Sequence, residues 1–142
     1  MNFTSECCKN VFIYFTEQFD RHKEQSKYLE SKMNDCDNEE DLKILKIKNN
    51  KQLDFQLGCL YIKLVAEHIV KLCFKYDETV KMIKEIKNRI VQSDNKKLKK
   101  ELLSGLTHSD FQYLVIDMNI KKYYMLLMRM IIEFQNDSLL NN

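Results

Sequence analysis

From Cys8 onward the apolar positions recur every three or four residues: Cys8, Phe12, Phe15 and Phe19, then His22, Ser26, Leu29 and Met33. With 3.6 residues to a turn, these positions fall on one stripe of a helix. The spacing predicts a long first helix over residues 5–34, with a bend or a polar contact where His22 and Ser26 interrupt the apolar line. Asn34 to Asn38 is polar and reads as a loop. Asn38 followed by Glu39, Glu40 and Asp41 has the form of a helix start. An asparagine side chain accepts from the free N–H groups of the first turn, and acids there complement the helix dipole.

The second helix is expected to run to about residue 75, with a weak point at Asn49 and Asn50, two adjoining poor helix formers. Two helices in place of one remain an alternative there. Leu53, Leu57, Leu60 and Leu64 form one apolar row, and Ile62, Val65, Ile69 and Cys73 form another. A helix apolar on several sides is expected at the centre of its bundle. Asp77 can cap a further helix over 78–91, whose apolar side is Val80, Ile83, Ile86 or Lys87, and Ile90. Ser93 or Asp94 can open a short helix ending near Leu103, and Gly105 suits the left-handed position just past a helix end. Thr107 and Asp110 have capping-box spacing, with Asp replacing the usual Glu or Gln. The last helix, over about 108–135, is apolar on nearly every side, and residues 136–142 are expected to fray. The expected fold is an all-α bundle of four to six helices, two of them long, in a single domain over 1–142 with its ordered core over about 5–135.

Composition agrees with that class. A chain of 142 residues suits one core, and 44% hydrophobic against 31% charged residues is a folded balance. There is no proline, and Gly58 and Gly105 are the two glycines. Sheets of this size need many tight turns, which draw on both residues; long helices need neither. The net charge of +2 is too small to imply nucleic acid or an acidic membrane by itself. The most apolar run, Leu57 to Phe74, carries Lys63, Glu67, His68 and Lys71, so no transmembrane segment is expected. Residues 1–10 are polar with no apolar signal core after them. That suits an intracellular protein, or a mature secreted chain to which Met1 was added.

Candidate chemistry is sparse. The cysteines are Cys7, Cys8, Cys36, Cys59 and Cys73, an odd number in no zinc-binding pattern. Cys59 and Cys73 are expected on one helix, where fourteen residues span about 21 Å, too far for a disulfide. Reduced, partly buried thiols are the plain expectation. His22, His68 and His108 lie in separate segments, and Glu67 beside His68 points elsewhere on a helix. Cys7 and Cys8 sit near a helix start, where the dipole favours a thiolate, but no motif supplies a histidine partner. There is no phosphate loop, nucleophile elbow or CxxC. No catalytic, cofactor or metal residue is therefore assigned, and no enzyme activity is expected.

Residues 75–101 hold nine basic residues against five acidic ones, densest at Lys96, Lys97, Lys99 and Lys100. A solvated helix face explains such a run, and an acidic protein or nucleic acid would also suit it. No aromatic residues interleave as a stacking platform. Met118, Met125, Met128 and Met130 accompany Tyr123, Tyr124 and Phe134 on the last helix, as plain core or as an adaptable groove. Burying every apolar side of that helix within 142 residues is hard, which favours a homodimer or partner interface. The candidate partner-binding surface is Lys96, Lys97, Lys99, Lys100, Tyr123, Tyr124, Met125 and Met128.

The string KQLDFQLGCLYIKL from Lys51 resembles the central helix of interferon-gamma, through Lys51, Gln56, Tyr61, Lys63 and Leu64, with apolar residues alike at Leu57, Leu60 and Ile62. VKMIKEIKN resembles the following helix through Val80, Ile83, Lys84, Glu85 and Asn88. SDNKK at 93–97 is similar to a short basic linker and helix of that family, and DMNIKK at 117–122 to the start of its last helix, through Asp117, Asn119 and Ile120. The blocks keep their order and cover roughly the second half of the chain. The resemblance implies a secreted helical cytokine of the interferon-gamma and interleukin-ten group, forming an intertwined dimer that engages two-domain receptors. The first helix and its loop do not align, so no receptor-contact residue carries over.

The expected function is thus non-enzymatic protein binding, by resemblance that of a secreted cytokine acting on a cell-surface receptor. One alternative is an intracellular, viral-type helical protein that sequesters a host factor in the cytoplasm. Another is a nucleic-acid-binding helical protein using residues 81–100.

Overall fold

The structure, a computed structural model, describes residues 2–140. They form three helices and no strand: α1 (Asn2–Asn34), α2 (Glu39–Gln92) and α3 (Lys96–Leu140). The predicted stripe of α1 faces α2, with Cys8, Phe15, Ser26 and Leu29 buried. The polar positions in that stripe make polar contacts. Ser26 Oγ donates to Asn49 Oδ1 at 2.6 Å, and His22 Nδ1 lies 2.6 Å from Gln52 Oε1 while its ring stacks on Phe55. Asn38 caps α2 as expected, accepting from Glu40 N at 2.9 Å.

The expected four to six helices are three, because three anticipated breaks do not occur. At Asn49 the side chain is buried against α1 and satisfied by Ser26. Packing of this kind outweighs a propensity deficit of about 0.7 kcal/mol per residue. Asp77 is an exposed position inside α2, where the neighbouring Leu72, Cys73 and Thr79 are buried and carry the helix through. Gly105 lies within α3, and no described residue has a positive φ. Thr107 Oγ1 donates to the Leu103 carbonyl at 3.0 Å, a bond of a helix interior and not of a cap. The one break after α2 falls at 93–95. There Asn95, and not Ser93 or Asp94, caps α3 by accepting from Lys97 N at 3.0 Å and Leu98 N at 3.3 Å. The last helix continues to Leu140, past the expected fraying from 136; residues 141–142 lie outside the described residues.

Both connections are short, so α1 and α3 each run antiparallel to α2, and α2 packs against both. At 1.5 Å per residue the helices are about 50, 81 and 68 Å long. They overlap as a trio only around a waist near the middle of α2. There α1 meets α3 through Cys7 Sγ and Tyr124 Oη, 3.6 Å apart, and through Phe15 against the edge of Phe134. The core occupies this waist: Cys8 and Phe15 of α1, Cys59, Ile62, Ala66, Ile69, Leu72 and Cys73 of α2, and Ile120 and Leu127 of α3. Beyond it the molecule thins to two-helix arms, α1 with α2 at one end and α2 with α3 at the other. A compact monomer of 17.1 kDa exposes about 7,700 Å². This chain exposes 10560 Å², about 2,800 Å² more.

Candidate functional site

The polar chemistry of the molecule is dispersed. His22 belongs to the α1–α2 contact, His68 packs its ring edge-on to Tyr123, and His108 lines an open groove with Met82 and Phe111. Among the described residues no group of three or more His, Cys, Asp or Glu is placed to hold a metal ion. All five cysteines are free thiols. Burial pushes the Cys8 thiol up to about 12 and the Cys59 thiol up to about 11, and raises that of Cys73. These three are protonated, apolar core side chains at neutral pH. The Tyr76 phenol is raised chiefly by its hydrogen bond with Tyr113, a pair that ties α2 to α3 beyond the waist.

The residues singled out as a partner surface are not brought together. Lys96, Lys97, Lys99 and Lys100 occupy the first turns of α3, at one tip of the molecule, with no acid in that turn. They stand against the positive end of the helix dipole, an arrangement that costs about 0.3–1 kcal/mol per charge at low salt. Tyr123, Tyr124 and Met128 lie about 35 Å further along α3 and pack against the buried cluster. Met125 points the other way and is 70% exposed.

The outer faces of the two longer helices carry the apolar surface that the fold leaves over. On α2 the two rows legible in the sequence separate cleanly. Ile62, Ile69 and Cys73 are buried with Val65 packed against them, whereas Leu53, Leu57, Leu60 and Leu64 are 40–52% exposed. Gln52 and Phe55 meet α1, and Gly58 lies against Phe134 of α3. The leucine row lies on the remaining side of α2, opposite the core. On α3 the exposed apolar side carries Met118, Met125 and Ile132 with Leu114, and it begins at Phe111 and Val115, which line the groove between α3 and Met82 of α2. Phe111, Met118, Met125 and Ile132 recur at intervals of seven and are 57–70% exposed. Comparison with protein-family models, with curated proteins and with solved structures finds no match for this chain. The physical character of these two faces is therefore the guide to function.

The sequence shows the apolar rows of α3 but not which of them faces outward. The inward set Ile116, Ile120, Tyr123 and Leu127 follows the three-and-four spacing of a packed helix. The outward set recurs at intervals of seven, as Ile116 with Tyr123 and Ile120 with Leu127 do on the inward side, so the interval alone does not separate the two faces of an all-round apolar helix. No helix is long and apolar enough to cross a membrane among the described residues.

Proposed function

We propose that this chain is a non-enzymatic protein-binding protein that docks another polypeptide onto its outer helix faces. The observation that carries the reading is the leucine row of α2, four large apolar side chains at helical spacing, 40–52% exposed on the helix that both others pack against. Scattered exposed leucines are ordinary, whereas a row at i, i+4, i+7 and i+11 has the spacing by which helices seat in apolar grooves. Two settings were open for such a protein. The secreted receptor-binding reading rests on the interferon-gamma resemblance, whose central and following helices correspond to residues 51–64 and 80–88; here both stretches lie on the single helix α2. The intracellular reading, sequestration of a host factor, gains support from five free thiols, three of them buried. Thiols in that state suit a reducing compartment.

The test is a partner recovered with the full chain from its source cells, identified, purified and titrated by calorimetry. Leu57→Glu/Leu64→Glu is expected to weaken binding at least about 100-fold, since each charge would be forced into a dry contact. A purified partner that binds this variant and the parent equally would contradict the docking face proposed here.

A further inference from the structure

The outer face of α3 carries a longer apolar stripe than the outer face of α2. Phe111, Met118, Met125 and Ile132 stand one above another at intervals of seven residues, and Leu114 and Val115 fill the space after the first. A strict interval of seven is shorter than two turns of a straight helix, so such a stripe stays in line only if the helix winds gently around another one. The stripe runs for 21 residues, about 32 Å, and extends from the α2–α3 arm through the waist. The leucine row of α2 runs for only 11 residues, about 16 Å.

We infer that this stripe is the contact face of a homodimer, in which α3 pairs with α3 of a second copy in parallel register. The inference rests on the protein-binding reading and names the partner for one of its two faces. Three observations favour a second copy. An apolar seam with a seven-residue interval is complementary to itself, so one surface serves both partners about a two-fold axis. Its flanks carry opposite charge, with Asp110 and Asp117 on one side and Lys122 and Arg129 on the other. A parallel pair sets Asp117 of each copy beside Lys122 of the other, at the five-residue offset by which coiled-coil flanks meet. The surface in excess also suffices. Over all its faces together the elongated chain shows about 2,800 Å² more than a compact monomer, and a standard interface takes about 800 Å² from each partner. The companion seam positions are Leu114, Lys121, Met128 and Gln135: Met128 is packed on the core, Gln135 is polar, and the Lys121 ammonium is held by Asp117 Oδ2 at 2.9 Å while its stem can lie along the apolar surface.

Sedimentation velocity on the full chain across a wide concentration range, with helix content followed by circular dichroism, tests this directly. The parent chain is expected to sediment as a dimer. Met118→Glu/Met125→Glu is expected to weaken dimerisation at least about 100-fold with helicity unchanged, since both side chains are about 70% exposed within one chain. Leu57→Glu/Leu64→Glu should remain dimeric, which separates this face from the one on α2. Asp117→Lys is expected to weaken the dimer, and Asp117→Lys/Lys122→Asp to restore it. A parent chain that stays monomeric at every concentration, or a dimer that survives Met118→Glu/Met125→Glu, would overturn the inference. Either result would leave the α2 docking face standing, because the partner titration tests that face separately. A dimer lost on Met118→Glu/Met125→Glu but not rescued by the charge exchange would overturn the parallel register.

Discussion

Helix α2 carries two apolar rows of similar composition, and the structure buries one and leaves the other in water. Replacing one member of each by alanine isolates that difference. Ile69 is 0% exposed and enclosed in the waist, whereas Leu64, five residues earlier, is 52% exposed. Truncating an enclosed isoleucine removes its transfer energy and leaves a cavity, together about 2–5 kcal/mol. Full burial of a leucine stabilises by about 1.5–3 kcal/mol. Half of that is absent at Leu64, no closed cavity forms, and alanine is a slightly better helix former, so the loss there should be about 1 kcal/mol or less. Urea unfolding followed by helical circular dichroism, at matched chain concentration so that self-association does not differ, measures both. Ile69→Ala is expected to cost at least about twice as much as Leu64→Ala. Equal losses, or a larger one at Leu64, would mean that α2 is rotated about its axis relative to this structure and that the leucines form the core.

Further outcomes follow from the same packing. Gly105 sits inside α3 with open space around its Cα, so Gly105→Ala should stabilise by up to about 1 kcal/mol in thermal or urea unfolding. Gly58→Ala should not, because its Cβ would lie 3.2 Å from Phe134, whose ring is wedged between Phe15 and Phe55. Asn38→Ala removes the side-chain acceptor at the start of α2 and should cost about 1 kcal/mol, with the loss read in the same unfolding curves. The Cys8 and Cys59 thiols are held above their unfolded value of 9.0, so the folded state keeps protons that the unfolded chain gives up. Their contribution should be fully present below about pH 9 and be lost as pH rises through about 11 and 12, a decline seen by measuring stability against pH; Cys8→Ser/Cys59→Ser should flatten it.

The parts of this fold legible in the sequence are those with a local cause. The stripe of α1 and the Asn38 cap each depend on a few neighbouring residues, and both are where the spacing put them. The anticipated breaks at Asn49, Asp77 and Gly105 were local too, but their outcome was decided elsewhere. Asn49 is kept helical by Ser26 of another helix, and Gly105 by the unbroken ladder on either side of it. Both rows of α2 were visible as rows. Which of them meets α1 and α3 depends on how three helices share one waist, and no local pattern fixes that. The lysines at 96–100 are the densest basic charge in the sequence, yet the fold places them at a tip, away from both apolar faces.

The outer leucines of α2 stand in water because α2 runs unbroken for about 81 Å and the other helices are too few to surround it. Small-angle X-ray scattering tests that continuity most directly, with the molecular mass taken from the forward scattering. A rod-like spine of this length predicts a largest dimension of about 80 Å and a radius of gyration of about 23 Å for one chain, and a somewhat larger radius for a side-by-side pair. A radius near 14.5 Å, that of a compact 142-residue globule, would mean that α2 folds back on itself and that its leucine row is covered.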